Sequence, residues 1–477
     1  MSSPPRHAKV LIAGGSIAGL TLANALEQRG VDYLLLEKHP HVAPDIGASL
    51  CIFPNGFEIL HQLGCYDRIN ALAEDANSFG SVTMRNRHSH AIVQAPRASQ
   101  QIKQRMGYAP MFLERRVIIQ ALYDNIKEKH KFRTSKGVVK VVFIPNGVQV
   151  RTDDGSLFTG EILVGADGIH STVRGEMWRL ANEQQPDHFP SQQCAHVPTS
   201  YCCMFGITDP GEGFPKSQTQ HVQGQHHSYL LSTGPKNCVY WFLFKQLPAP
   251  THRLHTIPRY SSAERDGLAE HHAADPLTET LCFGQLYRMR RTATLQTLPE
   301  VIFSRWHYDR IMTIGDAAHK LNPISGQGGN SAIEDAACLA NQIHLLTQPG
   351  HEQNTWTDSD FVAAFTTTQQ IRHGRVKRLL RKSHYMQRVQ AMDSRVMSMV
   401  AQYAMPLVSG NRIVEALCND ARGAVRLEAQ GDKATPHPTS YDDKRRSSRL
   451  GLPWVVCLIC ALFLALVHYT TMNVRHA

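Results

Sequence analysis

Residues 8–38, AKVLIAGGSIAGLTLANALEQRGVDYLLLEK, leave the chain one kind of beginning: an apolar run, a glycine-rich turn, a helical pattern and a second apolar run closed by an acid. Lys9 to Ala13 is short, apolar and bounded by Gly14 and Gly15, the pattern of a strand buried on both faces. Ile17 to Arg29 carries Leu20, Leu22, Ala23, Ala25 and Leu26 without a proline, which predicts a helix with a packing face small enough to lie tightly on a sheet. Gly30 stops it, Tyr33 to Leu36 rebuilds a strand, and Glu37 stands 18 residues after Gly19. In such a βαβ unit the bare backbone at Gly14 and Gly19 brings the N–H groups of a helix start to a pyrophosphate, and Glu37 accepts hydrogen bonds from a ribose. Ser16 occupies the place of the middle glycine and is small enough to be tolerated there. Taken alone, the segment fits a glycine-rich strand–helix turn of an unrelated α/β protein equally well.

A chain of 477 residues exceeds what one core holds, since single cores rarely grow past about 250–300 residues. The net charge of +10 is spread along it, with no basic array interleaved with aromatics, so nucleic acid is not an expected partner. The eleven cysteines are odd in number and scattered, which points to reduced thiols. Cys457 and Cys460 have CxxC spacing but fall inside an apolar run, where redox chemistry is not expected.

Two more segments join glycines to acids. GEILVGADGIHSTVR (160–174) is a strand pattern over Ile162 to Val164 broken at Gly165, Asp167 and Gly168. In 310–343 a strand over Ile311 to Ile314 meets Gly315 and Asp316, then a glycine-rich loop, then a helix from about Asn330. Between them the composition shifts to histidine, glutamine, threonine and aromatics. Strand-like runs at Tyr201 to Ile207, Ser228 to Ser232 and Val239 to Phe244 predict an inserted sheet, in which Trp241, Phe242 and Phe244 read as core. Phe112 to His130 reads as a helix with Arg115 in its first turn, 351–424 as a helical region and 425–450 as a polar linker.

Leu452 to Met472 holds no Asp, Glu, Lys or Arg in 21 residues, close to the roughly 20 that span a bilayer. This predicts a transmembrane helix over 451–472. Lys444, Arg445, Arg446 and Arg449 ahead of it imply a single-pass protein whose body faces the cytosol, expected in the endoplasmic reticulum.

Together GGSIAG with Glu37, GADGIHSTVR and GDAAHKLNPISGQGGNSAIEDA resemble, in order and spacing, the flavoprotein monooxygenases of the para-hydroxybenzoate hydroxylase-like group. The wording LIAGGSIAGLTLA, LEKH, PNGFEIL, FLERR, VYWFLF and GQGGN is most similar to fungal FAD-dependent epoxidases of prenyl chains in indole-diterpene and meroterpenoid biosynthesis. The resemblance covers about residues 8–345. It implies an α/β architecture: a Rossmann-type FAD-binding domain in two parts (1–185 and 301–350) with an inserted sheet-based substrate domain (186–300). It places the ADP part of FAD on Gly14, Ser16, Gly19 and Glu37, with Gly47 lining the cofactor and Arg115 beside the pyrophosphate. Asp316 would bond the ribityl chain, and Gly328, Gly329 and Asn330 would bring a helix amino end to the flavin. Asp167 belongs to a loop tied to FAD and NADPH, supported by Arg174. The implied chemistry is transfer of oxygen from O2 to an alkene of a lipophilic prenylated substrate, with Tyr229 or Tyr240 as candidate catalytic hydroxyls. Aromatic hydroxylation, prenyl reduction and non-enzymatic prenyl binding are the alternatives on the same fold.

Overall fold

Strands buried on both faces must be sheathed by helices, and that is how the centre of the first sheet is built. The computed structural model describes residues 6–44, 49–73, 77–189, 196–209, 213–253, 257–348 and 356–428. Arg6–Ala13, Leu157–Gly165 and Ile311–Thr313 are parallel neighbours, with Ala13 opposite Gly165 and Gly165 opposite Thr313. Tyr33–Leu36 flanks Arg6–Ala13 on its other side, followed by Phe132–Arg133. The register brings the carboxyl ends of three strands, and the glycine turns that follow them, to one edge of the sheet.

Helices Ile17–Gln28 and Gln327–Leu345 cover one face through small side chains. A Cβ on Gly315 would lie 3.1 Å from that of Ala332 and 3.2 Å from that of Ala18, tighter than ordinary contact, so the bare glycine is what lets both helices come this close. The second sheet is ordered Arg290–Pro299, His196–Thr208, Val239–Arg253, His227–Thr233, Gln218–Gln223, Ser81–Arg85, Ala91–Pro96. Its last two strands come from the chain before residue 100, joined through a parallel pair of Ser81–Arg85 with Gln218–Gln223. Alternation sorts its side chains: Cys203, Leu230, Phe242 and Phe244 face the first domain, and Tyr229, Leu231, Trp241 and Leu243 face a separate outer core with Phe283.

Phe112 to Glu114 does not open the helix expected there. Met111–Glu114 is a strand paired antiparallel with Ser49–Ile52, and the helix is Arg115–Asn125. A partner 60 residues away supplies the ladder that a local pattern cannot show.

The expected transmembrane helix, and with it the single-pass endoplasmic-reticulum placement, is corrected. No helix of the described residues is long and apolar enough to cross a membrane. The longest, Asp358–Gln390, carries the charged run RHGRVKRLLRK, and the apolar Gln327–Leu345 places Glu334 and Asp335 in the core. The stretch 451–472 lies outside the described residues.

A buried ionic cluster ties these two helices together. Arg372 bonds Asp335 Oδ1 through Nε (2.7 Å) and pairs with Glu334, all three fully buried. Arg375 donates to both oxygens of Glu334, at 2.6 and 2.9 Å, and Asn55 Nδ2 donates to Oε1 at 2.7 Å. Asp335 Oδ2 accepts from the Gly315 N–H at 2.9 Å and contacts His319 Nε2 at 2.6 Å. Two carboxylates and two guanidiniums balance, as groups removed from water require.

Candidate active site

The three glycine turns open on one cavity of about 540 Å3 at the carboxyl edge of the first sheet. Ligand clefts of α/β sheets lie there because strand ends and helix starts leave backbone groups unpaired. The turn after Ala13 is sterically committed. Gly14 has φ +107° and a Cβ on it would stand 2.5 Å from the Ala166 carbonyl oxygen; one on Gly19 would stand 1.9 Å from that of Gly14. Gly19 therefore does not line the cavity but lets helix Ile17–Gln28 start against the turn. Ser16 lines it, its Oγ accepting from Arg115 Nη2 at 2.6 Å, which fixes the guanidinium over the same helix start. The helix has neither a side-chain cap nor an acid in its first turn, so its positive end faces the cavity uncompensated.

Glu37 is buried at the end of Tyr33–Leu36. Its Oε2 accepts from the Gly15 N–H at 2.5 Å and its Oε1 from the His39 N–H at 2.9 Å. A carboxylate oxygen has two lone-pair directions, so each retains one for a ligand. Lys38, Lys136 and His170 line this end too, and burial together with Arg259, Arg174, Lys38 and Lys320 lowers the His170 pKa. The cations behind the smaller part of that shift set positive potential at the mouth.

Asp167 caps the next helix: its carboxylate accepts from Ser171 Oγ at 2.5 Å and from the Val173 N–H at 3.1 Å, and burial raises its pKa despite these bonds. Arg174 is buried under the loop, donating to the carbonyls of Ala317 at 2.8 Å and Ile169 at 2.6 Å, and so ties the second motif to the third. Asp316 lines the cavity as an ion pair with Lys320. Gly328 and Gly329 line it at the start of Gln327–Leu345, a helix again without side-chain cap or first-turn acid; a Cβ on Gly328 would meet open space. The Asn330 side chain is turned away from the cavity: Oδ1 accepts from the Phe53 N–H at 3.0 Å, and Nδ2 donates to the carbonyls of Cys51 and Gly326, both at 2.8 Å. It clamps strand Ser49–Ile52 to the helix start. Gly47 lies outside the described residues.

The two tyrosines are not brought to the cavity. Tyr229 points to the outer face of the second sheet, where its hydroxyl donates to Asp275 Oδ2 at 2.7 Å. Tyr240 is on the inner face but buried against Phe112, its hydroxyl engaged by the Cys238 thiol; burial raises its pKa. Neither is among the residues that line the cavity, so the structure does not bring the two candidate catalytic hydroxyls to it. Phe242, buried in the inner core as read from sequence, also lines it, with Phe112, Phe205, Cys203, Gln296 and Leu298. Sequence reasoning passed over this wall, although the register Phe205 opposite Phe242 and Cys203 opposite Gln296 follows a strict period of two.

Three parallel strands with glycine turns at one edge, opening on a cleft roofed by a second sheet, define a dinucleotide-binding α/β protein. The FAD binding domain family matches residues 7–187 and 261–356. The FAD-dependent monooxygenase penE of Penicillium thymicola is 31% identical over 466 residues, 96% of each chain, and spyC of Aspergillus fumigatus is 35% identical over 399 residues, 83% of each. The crystal structure of Klebsiella pneumoniae HpxO complexed with FAD and uric acid, 22% identical, shares the fold with a TM-score of 0.70 over 87% of this chain and 96% of that one. The chain belongs to the FAD-dependent monooxygenases.

Proposed function

We propose that this monooxygenase uses NADPH and dioxygen to epoxidise an alkene in the prenyl chain of a lipophilic meroterpenoid or indole-diterpene intermediate of secondary metabolism. The observation that carries the reading is the two-ended cavity: a polar end made by the three motifs and an apolar end walled by Phe112, Phe205, Phe242 and Leu298. Alkene, O2, NADPH and a proton give epoxide, water and NADP+.

The residues fit the cofactor, since bare backbone, uncapped helix starts and a half-used carboxylate coincide in one cleft. In this reading Gly14, Ser16 and Glu37 receive the ADP half, Gly19 lets the helix start close against that turn, and Arg115 is held by Ser16 against the pyrophosphate. Asp316, oriented by Lys320, accepts from the ribityl hydroxyls. The N–H groups of Gly328 and Gly329 and the positive helix end stabilise negative charge on the isoalloxazine. Asn330 acts by holding that helix start in place. Bound FAD, once reduced, supplies the activation of dioxygen. The chain's own contribution is to seat the prenyl chain on the aromatic wall, exclude water, and offer positive potential around His170 and Lys38 to the phosphates of NADPH.

Incubation with NADPH, FAD and a prenylated aromatic under 18O2 is expected to place one labelled oxygen in an epoxide. A labelled phenol with the alkene intact, or a reduced alkene without label, would overturn epoxidation while leaving the flavin site standing.

A further inference from the structure

On the outer face of the second sheet, away from the cavity, His227, His272 and Asp275 bring their ligand atoms within 4.8 Å of one another. His227 opens strand His227–Thr233, His272 ends helix Ser262–His271, and Asp275 lies in the turn that follows. Asp275 Oδ2 is the point of convergence: His227 Nε2 is 2.9 Å away, His272 Nδ1 2.7 Å, and the Tyr229 hydroxyl 2.7 Å. One carboxylate oxygen with two lone-pair directions thus faces three polar groups.

The His227 tautomer sharpens the point. Its Nδ1 lies 2.9 Å from the Gln225 carbonyl oxygen, which only accepts, so Nδ1 carries a proton. In the neutral ring Nε2 is then a lone pair aimed at a carboxylate, a repulsive contact unless a positive centre sits between them. An imidazole whose remote N–H is anchored on a backbone carbonyl, with its other nitrogen directed at a carboxylate and a second imidazole, is the second-shell arrangement of a metal ligand. The ring has a seat built for it: a Cβ on Gly224 would stand 2.4 Å from His227 Nε2. The His227 and Asp275 side chains keep 17% and 29% exposure, which leaves an entry path, while His272 is buried.

We propose that His227 Nε2, His272 Nδ1 and Asp275 Oδ2 form a zinc site, with the fourth position left to water or the Tyr229 hydroxyl. Two imidazoles and a carboxylate suit Zn2+, whose ligand bonds of about 2.0–2.2 Å set donor atoms roughly 3.3 Å apart. The two shorter separations must open by about half an ångström, within reach of side-chain rotation. Such an ion would staple helix Ser262–His271 to the strand whose other face, through Leu230, backs the inner core.

The test uses the full chain with FAD, stripped with chelator, loaded with ZnCl2 and passed through gel filtration. Expected are one zinc per chain by mass spectrometry and, with Co2+ in its place, the intense visible bands of tetrahedral coordination saturating at one equivalent. His227→Gln and Asp275→Asn should reduce bound zinc at least tenfold with flavin content unchanged. Wild type that retains no more zinc than the variants, or Co2+ showing only weak octahedral absorption, overturns the site and leaves an imidazolium–carboxylate cluster. Should both variants lose flavin through misfolding, the wild-type Co2+ spectrum alone decides.

Discussion

Replacing Arg372 with Met removes one cation from a cluster in which Arg372, Glu334 and Asp335 are fully buried and Arg372, Arg375 and His319 face the two carboxylates. Methionine fills a similar volume, so the change isolates charge and hydrogen bonding from packing. What remains is Arg375 on Glu334 and His319 on Asp335, with the guanidinium that bridged both carboxylates gone, and breaking such a buried pair costs about 3–5 kcal/mol. At about 2 °C per kcal/mol for a body of this size, the melting temperature should fall by roughly 6–10 °C. The damage should reach the cofactor, because Asp335 also holds the Gly315 N–H, and that turn carries Asp316 into the cavity. Thermal melts followed by flavin fluorescence and by circular dichroism read the two effects separately. Adding Asp335→Asn should recover part of the loss, since the carboxylate left without its guanidinium is removed with it. A single variant melting within about 1 kcal/mol of wild type would refute the reasoning, because it would mean that the cluster is hydrated or that a carboxyl is already protonated.

The same cluster sets an acid limit. Burial alone would raise the Asp335 carboxyl, but His319 and Arg372 outweigh it and hold it at about 2, against 3.8 unperturbed. A depressed carboxylate stabilises the fold above its unfolded pKa, so this contribution should be lost as pH falls from about 4 through 2, and Arg372→Met should flatten that slope in acid unfolding curves. Gly14→Ala meets both a left-handed φ, costing about 1–2 kcal/mol, and an overlap with the Ala166 carbonyl, costing about 1–3 kcal/mol; purified protein should be largely free of flavin, as absorbance would show. Asp316→Ala should release FAD or abolish turnover while leaving the circular dichroism spectrum unchanged, because its described partner is the half-exposed Lys320; full activity with normal flavin content would remove the assignment. Phe242→Ala should leave flavin content intact and raise the share of reducing equivalents lost as hydrogen peroxide, measured by peroxide assay, since it opens the apolar wall to water.

The βαβ start was legible from residues 8–38 because every cue in it is local: an apolar run that must be buried, glycines where no Cβ fits, an acid at a strand end. Tyr33–Leu36 and helix Ile17–Gln28 fall within a residue of expectation. Where a partner is distant, local cues failed. Met111–Glu114 is a strand only because Ser49–Ile52 lies beside it. Tyr229 and Tyr240, in strands of similar composition, part to opposite faces because of the register between neighbouring strands, which periodicity within one strand leaves free by one residue.

The amino-acid order alone was enough for the kind of ligand, since close backbone approach to a phosphate is written in glycines and an acid at set spacing. The convergence of the turns after Ala13, Gly165 and Thr313 at one sheet edge belongs to the assembled molecule, where parallel pairing aligns strand ends some 150 residues apart. So does the choice of side chains at the apolar wall, because which half of each strand faces the cofactor depends on what the whole sheet packs against.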